Sequence, residues 1–555
     1  MKNTTKIFII LIISLLNFNL YAQTISLDLP VFNEYYRRAQ LLGEIKNTSS
    51  FSNRPLFIES IYGTNIFHPD TSLTKKGQST FNGVLKFGRE KGIIQFLPIQ
   101  ILNQFNSHHP EGFNDGSMIP TKGFQTQISA GIFLKYGPFS IQLRPEFVYA
   151  QNLSFDGFPS NYTSSIGITF PASQYNGIDL PEKFGDGNYQ KTFWGQSAVR
   201  LKIGPVSIGL SNENLWWGPG YRNSLLMTNS APGFKHFTLN TVRPIKTPIG
   251  SFEGQMINGK LEESGFVNNL QEDWVYINAM VLSYQPKWFP GLHLGVSRSF
   301  LIYRNSMGTG LGDYFPVISF LSKKSSGGNE VDTYGHDQLL SVFMRWILTE
   351  SHGEIYFEYG REDHAWDLTD FILEPAHSTA YIIGLRKLFP LNPQKSTYWQ
   401  LILEASSLAS PQTTINRNHG NAGMWYTHGQ VRHGYTNQGQ VLGAGIGPGG
   451  KLQTLDVSWV QSFKQIGIQL ERTVHNADFW YNQIRDIRSN WVDISAMAYG
   501  SWDYKKLIFT LKLKCIESFN YQWLYEPDQT LDLEFWLPSE NTFNFHGQLG
   551  IVYRF

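Results

Sequence analysis

Apolar and polar residues alternate through most of the chain from about residue 56 onward, in segments of roughly ten residues. In residues 139–149 one face carries Phe139, Ile141, Leu143, Phe147 and Tyr149, and the other carries Ser140, Gln142, Arg144 and Glu146. This period and length are typical of tilted strands that cross a membrane. After residue 22 no long apolar run is present, and without spanning helices only a closed sheet is stable in lipid. We therefore predict an all-β fold, a transmembrane antiparallel β-barrel of about 18 strands.

The segment 543–555 is the clearest of the predicted strands. One face carries Phe543, Phe545, Leu549, Ile551, Tyr553 and Phe555, and Val552 is the apolar exception on the polar face. An aromatic final residue with this alternation resembles the signal that the outer-membrane barrel assembly machinery reads, although an ordinary edge strand is the alternative. The segment 507–515 alternates in the same way and places Cys515, the sole cysteine, on the lipid-facing side.

The connections between these segments fall into short and long classes. Gly137-Pro138 and Gly204-Pro205 read as short periplasmic turns. Residues 177–191, 322–335 and 406–439 are long and polar, and we predict that they form extracellular loops or fold inward as plugs. A helix is predicted over residues 31–45, where Tyr35, Ala39 and Leu42 share one face.

The beginning of the chain reads as a secretory signal peptide over residues 1–22. Lys2 and Lys6 precede the apolar run 7–16, and Ala22 places a small residue before the expected cleavage site. An apolar run of about ten residues is too short to span a bilayer, which needs roughly 20. We predict export through the Sec pathway, a short periplasmic segment with one helix over 23–55, and an outer-membrane barrel over 56–555.

Composition supports a membrane barrel and excludes other classes. Lys plus Arg number 45 and Asp plus Glu 44, so no net charge directs the chain to nucleic acid. Aromatic residues make up 15% of the chain, and tyrosine and tryptophan favour membrane–water interfaces. The expected surroundings are therefore outer-membrane lipid and, during biogenesis, the barrel assembly machinery.

Motifs for enzymatic chemistry are absent from the sequence. It contains no GxSxG, no HExxH and no P-loop. The pair His108-His109 makes a poor chelate on a strand, because neighbouring side chains point to opposite faces. The carboxylates at 358, 362 and 363 suggest a charged lumen more readily than catalysis. We predict no enzyme, no cofactor and no metal, with a barrel hydrolase as the weakest alternative.

Three segments carry more specific information. They are NENLWWGPGYR at 212–222, followed by SLLMTNSAP at 224–232, then EIYFEYGREDH at 354–364, and HGYTNQGQVLG at 433–443, which continues to Gly449. Together, in this order and spacing, they resemble the Wzi-type capsule assembly family in the form common in Bacteroidetes-like bacteria. The resemblance extends over most of residues 56–555, and the WWGPG element is its most specific part.

The resemblance implies a barrel of about 18 strands that binds capsular or exopolysaccharide at the cell surface and aids capsule assembly or attachment. Characterised relatives of this type are not enzymes and carry a periplasmic helical bundle, for which residues 23–55 leave room for only one short helix. The alternative functions are a porin or solute transporter, or a scaffold subunit of a secretion or gliding apparatus.

Sugar rings stack on aromatic planes, and sugar hydroxyls bond to amide and charged side chains. On that basis the candidate polysaccharide-binding residues are Trp216, Trp217, Asn214, Arg222, Glu358, Arg361, Asp363 and Tyr435. Two other interpretations stay open. The two tryptophans suit an interfacial belt or a lumen plug, and the charges at 361–363 suit a salt-bridged network inside the barrel.

Overall fold

The computed structural model describes most of the chain. It covers residues 23–45, 49–61, 66–69, 83–89, 91–159, 162–163, 169–170, 177–267, 274–321, 336–362, 372, 378–410, 424–484, 489–524 and 541–555. The predicted signal peptide, the loop at 322–335 and the candidate residue Asp363 lie outside the described residues.

Eighteen antiparallel strands close into a single barrel. In chain order they are β1 Gly92–Glu111, β2 Thr121–Tyr136, β3 Phe139–Leu143 with Glu146–Ala150, β4 Tyr189–Phe193 with Ala198–Ile203, β5 Val206–Ser211, β6 His236–Thr241 with Ile245–Thr247, β7 Gly250–Leu261, β8 Val275–Pro286, β9 Leu292–Tyr303, β10 Asp337–Leu348, β11 Gly353–Glu362, β12 Thr379–Asn392, β13 Thr397–Ser407, β14 Lys451–Gln461, β15 Lys464–Val474, β16 Val492–Tyr504, β17 Leu507–Phe519 and β18 Thr542–Tyr553. The short strand Val84–Phe87 continues the line of β18 beside β1. The predicted fold class and strand number are confirmed.

The alternation of the sequence becomes the two faces of the barrel wall. On β10, Leu340, Val342, Trp346 and Leu348 are exposed on the outer face, whereas Ser341 and Arg345 are buried on the inner face. The predicted faces of β3 and β17 are confirmed in the same way, with Cys515 exposed on the outside. An apolar outer face and a polar inner face are what a lipid-embedded barrel requires.

The two ends of the barrel differ in their connections. At one end, which we name the turn side, strands are joined by two to five residues, and the turns at Gly137-Pro138 and Gly204-Pro205 are confirmed there. The other end, the loop side, carries the long connections, including 151–188, 212–235, 408–450 and 475–491. In outer-membrane barrels short turns face the periplasm and long loops face outward, so the loop side is extracellular.

Residues 23–61, as far as they are described, pack inside the barrel, and we name them the N-terminal plug. Their elements are α1 Pro30–Leu41, a helix Ile58–Ile61, and strand pairs that join Thr24–Ile25 to Leu56–Phe57 and Asn53–Arg54 to Trp216–Trp217. The helix α1 ends earlier than the predicted residue 45, because Gly43 turns the chain with a φ of 72°. The division of the chain at residue 55 stays a prediction.

Buried ion pairs fix the plug to strands on different sides of the wall. Arg37 Nε lies 2.7 Å from Glu354 of β11 and Glu34 lies 2.7 Å from Arg386 of β12. Before the helix, Asp28 pairs with Arg144 of β3 at 2.9 Å. Breaking such a pair would leave one charged side chain unpaired in a dry interior, which is strongly destabilising. These contacts therefore hold the plug in one position.

Short elements complete the described structure. They are the two-residue strands Tyr162–Thr163, Thr169–Phe170, Thr436–Asn437 and Gln440–Val441, the helices Leu311–Tyr314, Ala477–Phe479 and Trp480–Ile484, and the 3-10 turns Arg304–Ser306, Pro316–Leu321, Thr349–Ser351, Pro393–Lys395 and Tyr521–Trp523. Among the described residues no helix is long and apolar enough to cross a membrane.

Candidate functional site

The connection 212–235, which we name the inner loop, enters the lumen from the loop side and contacts the plug. Trp216 and Trp217 pair with Arg54 and Asn53 of the plug as two short antiparallel strands. Trp217 is fully buried and its indole N–H donates to Gln255 Oε1 at 3.1 Å. Trp216 is 4% exposed, and the guanidinium of Arg54 lies 4.3 Å from its ring centre. Both candidate tryptophans therefore help to join the plug to the inner loop.

Asn214 and Arg222 are also committed to contacts within the barrel. The amide of Asn214 donates to the Ala231 carbonyl at 2.7 Å and accepts from Gln196 at 2.8 Å. Arg222 pairs with Glu471 of β15 at 2.7 Å, and its guanidinium lies 4.1 Å from the ring centre of Phe113.

Two carboxylates on the wall hold the inner loop in place. Glu404 of β13 accepts the backbone N–H groups of Tyr221, Arg222 and Asn223 at 2.6, 3.0 and 3.0 Å. Glu358 of β11 accepts the Leu225 N–H and the Ser224 hydroxyl, each at 3.2 Å. A loop that bends inside a lumen must find partners for its backbone donors, and these carboxylates supply them.

The remaining candidates lie in different places. Tyr435 is fully buried and stacks on Tyr426, with 5.5 Å between ring centres. Arg361 alternates with Glu358 along β11 and so falls in line with Ile355 and Phe357, but it is buried where those two are exposed. The structure thus brings Trp216, Trp217, Asn214, Arg222 and Glu358 together around the inner loop, and leaves Arg361 outside that group. Their roles in ligand binding stay predictions.

A cavity of about 250 Å³, which we name the loop-side pocket, opens among the long loops next to the inner loop. Its aromatic lining consists of Phe113, Phe155, Trp491, Tyr521 and Trp523. Its polar lining includes His109, Asn114, Asp115, Glu182, Ser230, Gln440, His475, Asn476 and Gln522. The pocket therefore combines ring faces with hydrogen-bonding groups in one concave surface.

The ring of Trp491 is held in one orientation by its neighbours in the pocket. Its face stacks on the imidazole of His475 with 3.9 Å between ring centres, and its indole N–H donates to Asp493 at 2.9 Å. His475 Nε2 contacts the other oxygen of Asp493 at 2.7 Å. This triangle fixes the plane of Trp491, which is only half-buried.

The polar floor of the pocket is continuous with the inner loop. Asn114 donates to the Arg222 carbonyl at 2.8 Å and accepts from the Ser230 hydroxyl at 3.0 Å. Asp115 accepts the Phe113 N–H at 2.9 Å. Across the pocket, burial raises the pKa of Glu182, which accepts the Phe158 N–H at 2.9 Å. The inner loop therefore shapes the pocket from below.

The glycine-rich segment after Tyr435 lines the same pocket, from Gly439 to Pro448. A Cβ at Gly445 would lie 2.7 Å from the Ser230 hydroxyl and 3.3 Å from the Phe113 ring. Only glycine allows the backbone to pass this close. Two of the three segments picked out in the sequence therefore meet at the pocket.

The sequence did not single out most of the pocket residues. Phe113, His475, Trp491, Tyr521 and Trp523 come from three separate connections, and no local spacing links them. Their aromatic character was the sole signal. Within the described residues no group of three or more His, Cys, Asp or Glu side chains is arranged to hold a metal ion.

Comparison with known proteins identifies the family. The sequence profile of the family "Capsule assembly protein Wzi" matches residues 103–505. The chain belongs to this family. It is thus an outer-membrane β-barrel of the Wzi capsule assembly family, as the three segments suggested.

One solved structure shares the fold. The Wzi structure from Escherichia coli, described as an outer membrane protein involved in group 1 capsule assembly and a carbohydrate-binding β-barrel, has 14% sequence identity and a TM-score of 0.58. The match covers 96% of this chain and all of that one. The BenF-like porin from Pseudomonas fluorescens Pf-5 gives 8% identity, coverage of 83% and 98%, and a TM-score of 0.39. A comparison with curated proteins gave no significant match.

Proposed function

We propose that this Wzi-family protein binds capsular or extracellular polysaccharide at the cell surface and aids the assembly or attachment of the capsule. The loop-side pocket is the observation that carries the proposal, since it faces outward and joins oriented rings to amide and carboxylate groups. A family member from E. coli is described as carbohydrate-binding.

The pocket suits a sugar for physical reasons. A pyranose presents C–H groups on its faces, which pack on an aromatic plane such as that of Trp491, and hydroxyls at its edge, which need partners such as Asn114 and Gln440. Binding to a short stretch of a long polymer also suits a shallow, half-open pocket, because many weak contacts add along the chain.

The role that we propose is binding without catalysis. The pocket carboxylates Asp115 and Glu182 already accept backbone N–H groups, as positioning groups do. If a single substitution of Asp115 or Glu182 abolished hydrolysis of the polysaccharide while binding was retained, a hydrolase would be supported instead.

The filled interior of the barrel argues against the porin alternative. The plug and the inner loop occupy the lumen and are tied to opposite parts of the wall. A scaffold role in a larger apparatus predicts co-purification with that apparatus, whereas polysaccharide binding predicts an interaction of the purified barrel alone.

The pocket is tested with purified protein and the polysaccharide of the source bacterium. We expect Trp491→Ala to weaken binding about tenfold, equivalent to roughly 1.4 kcal/mol. Trp502→Ala is the matched control, because Trp502 is exposed on the outer face of β16, away from the pocket. If both variants and the parent bound the polysaccharide with equal affinity, the pocket would be excluded as the binding site.

The cellular role is tested in a deletion strain. We expect polysaccharide synthesis to continue while free polysaccharide in the medium increases and capsule staining decreases. Complementation with Trp491→Ala should restore less retention than Trp502→Ala. Unchanged surface retention in the deletion strain would contradict the capsule role.

A further inference from the structure

A large groove lies on the outside of the barrel wall. It is a groove of about 1070 Å³ that spans β10 to β18 and is separate from the loop-side pocket. Its floor is formed by outer-face aliphatic side chains, among them Ile355, Ile383, Leu403, Leu455, Leu470 and Ile494. We name it the lipid-facing groove. An ordinary barrel exterior is convex, so a groove of this size sets this half of the wall apart.

Small residues deepen the groove on β13, β16 and β17. Ala405, Ala496 and Cys515 lie at outer-face positions where neighbouring strands carry leucine or isoleucine. Each shorter side chain leaves volume that an apolar chain can fill with dispersion contacts.

The groove reaches the loop-side edge of the membrane. A cross-strand row runs Gln453, Arg472, Ile494 and Glu517, paired directly from β14 to β17. Gln453 and Arg472 lie two residues from the loop-side ends of their strands, at Lys451 and Val474. The groove therefore opens to the outer leaflet.

The polar residues of this row suit a phosphorylated sugar headgroup. Arg472 is exposed on the outer face and donates to Gln453 at 3.1 Å, which leaves most of its guanidinium donors facing the lipid. A cation at a lipid interface is stabilised by phosphate, which guanidinium binds in a forked geometry. Glu517 lies beyond Ile494, about 10 Å away by strand spacing, where a sugar hydroxyl can donate to it.

We propose that the lipid-facing groove binds one phosphorylated glycolipid of the outer leaflet, of the lipid A type. Its acyl chains lie on the aliphatic floor and its phosphate contacts Arg472. A second copy of the chain fits less well, because a two-fold contact would press two concave faces together and leave a void between them.

Two substitutions remove the headgroup contact and the space separately. Arg472→Gln removes the cation, and Ala496→Leu fills part of the groove. Each has a matched control. Arg298→Gln changes an outer-face arginine on β9 that donates to Gln338 at 3.0 Å outside the groove, and Ala498→Leu lies on the same strand and face as Ala496 but does not line it.

The test uses native mass spectrometry of the full protein from phosphatidylethanolamine nanodiscs that contain lipid A. We expect one bound lipid A on the parent, at least about fivefold lower occupancy for Arg472→Gln and Ala496→Leu, and parent-like occupancy for both controls. Equal occupancy in all five proteins, preferential retention of phosphatidylethanolamine, or a dimer mass would each overturn the proposal.

Cys515 supplies a second readout within the groove. A membrane-soluble maleimide should label this sole cysteine more slowly in nanodiscs with lipid A than in nanodiscs without it. Arg472→Gln should abolish that difference and Arg298→Gln should keep it. If the labelling rate of the parent protein were the same with and without lipid A, the proposal would be contradicted. This outcome does not depend on whether a variant folds well.

Discussion

Aromatic side chains of this barrel do different work according to how deeply they are buried. Trp217 lies in the floor beneath the loops, with its ring sealed and its N–H bonded to Gln255. Trp491 lies half-buried in the pocket wall. The same residue type is thus structural in one place and available to a ligand in the other, and the surroundings decide which.

Removing one indole N–H should separate these two roles. In Trp217→Phe the Gln255 oxygen loses its donor in a dry interior, which we expect to lower the free energy of unfolding by about 1–3 kcal/mol. Trp491→Phe should lower the free energy of unfolding by less than about 1 kcal/mol. Asp493 keeps its contact with His475 in this variant, and at a half-buried site water can replace the lost donor. Urea unfolding followed by heat-modifiable gel migration measures both. A larger loss for Trp491→Phe would reverse the assignment.

Asp478 should make the loop that follows β15 sensitive to pH. Burial raises the pKa of this carboxyl to about 7, although it accepts the Ser410 N–H at 2.9 Å. A raised pKa favours the protonated form in the folded loop, so stability falls as pH rises from about 4 to about 7.

Hydrogen exchange of residues 475–484 provides the measurement. We expect slower exchange at pH 5 than at pH 8, after correction for intrinsic rates, and a flat profile in Asp478→Asn. Asp186→Asn, at an exposed loop position, should leave the profile unchanged. If the loop of the parent protein were more protected from exchange at pH 8 than at pH 5, the expected direction of the pH dependence would be wrong.

At the scale of elements, the inner loop is held by the wall instead of by its own structure. Apart from the two residues paired with the plug and one bridge between Trp217 and Met227, it has no regular hydrogen-bonding pattern. Glu404 alone accepts three of its backbone N–H groups. The pocket floor rests on this loop through Asn114.

Glu404→Ala should therefore loosen the inner loop as a unit. Three buried donors lose their acceptor, and at about 1–3 kcal/mol for each such group the loss should exceed about 2 kcal/mol. Trypsin should then cut after Arg222, which the parent protects. Glu350→Ala, at an exposed turn, is the control. An unchanged digestion pattern in Glu404→Ala would show that other contacts suffice.

The helix α1 shows why the position of an element inside the barrel could not be predicted from its local sequence pattern. Its apolar face predicted a helix, yet Arg37 and Glu34 on it are held by wall residues more than 300 positions away, Glu354 and Arg386. Charged side chains on a short helix usually face water, and no local signal shows that the barrel supplies partners.

At the scale of the whole molecule, the barrel wall was predictable and its filling was not. Alternation, the strand at 543–555 and the three family segments led to the fold and the family. Val552, the apolar exception on the inner face, contacts the cluster that includes Phe32 of the plug. The pocket could not be predicted, since its residues meet only after six connections fold over one end of the barrel.

A filled lumen has an electrical consequence. We expect the parent protein to give no steady conductance in a planar bilayer, and a variant lacking residues 23–61 to give open-channel current, because its ion-paired plug is gone. A steady current through the parent would favour the porin alternative. Silence of both proteins would show that the loops alone seal the barrel.

The seam of the barrel constrains how the molecule can be made. Neighbouring strands are also consecutive in the chain, except where β18 meets β1, and there His546 contacts Asn106 across 440 positions. The entropy of joining such distant segments is lost in a single step, and pairings of this kind form slowly. We therefore expect the pairing of β18 with β1 to be the last and slowest step in closing the barrel.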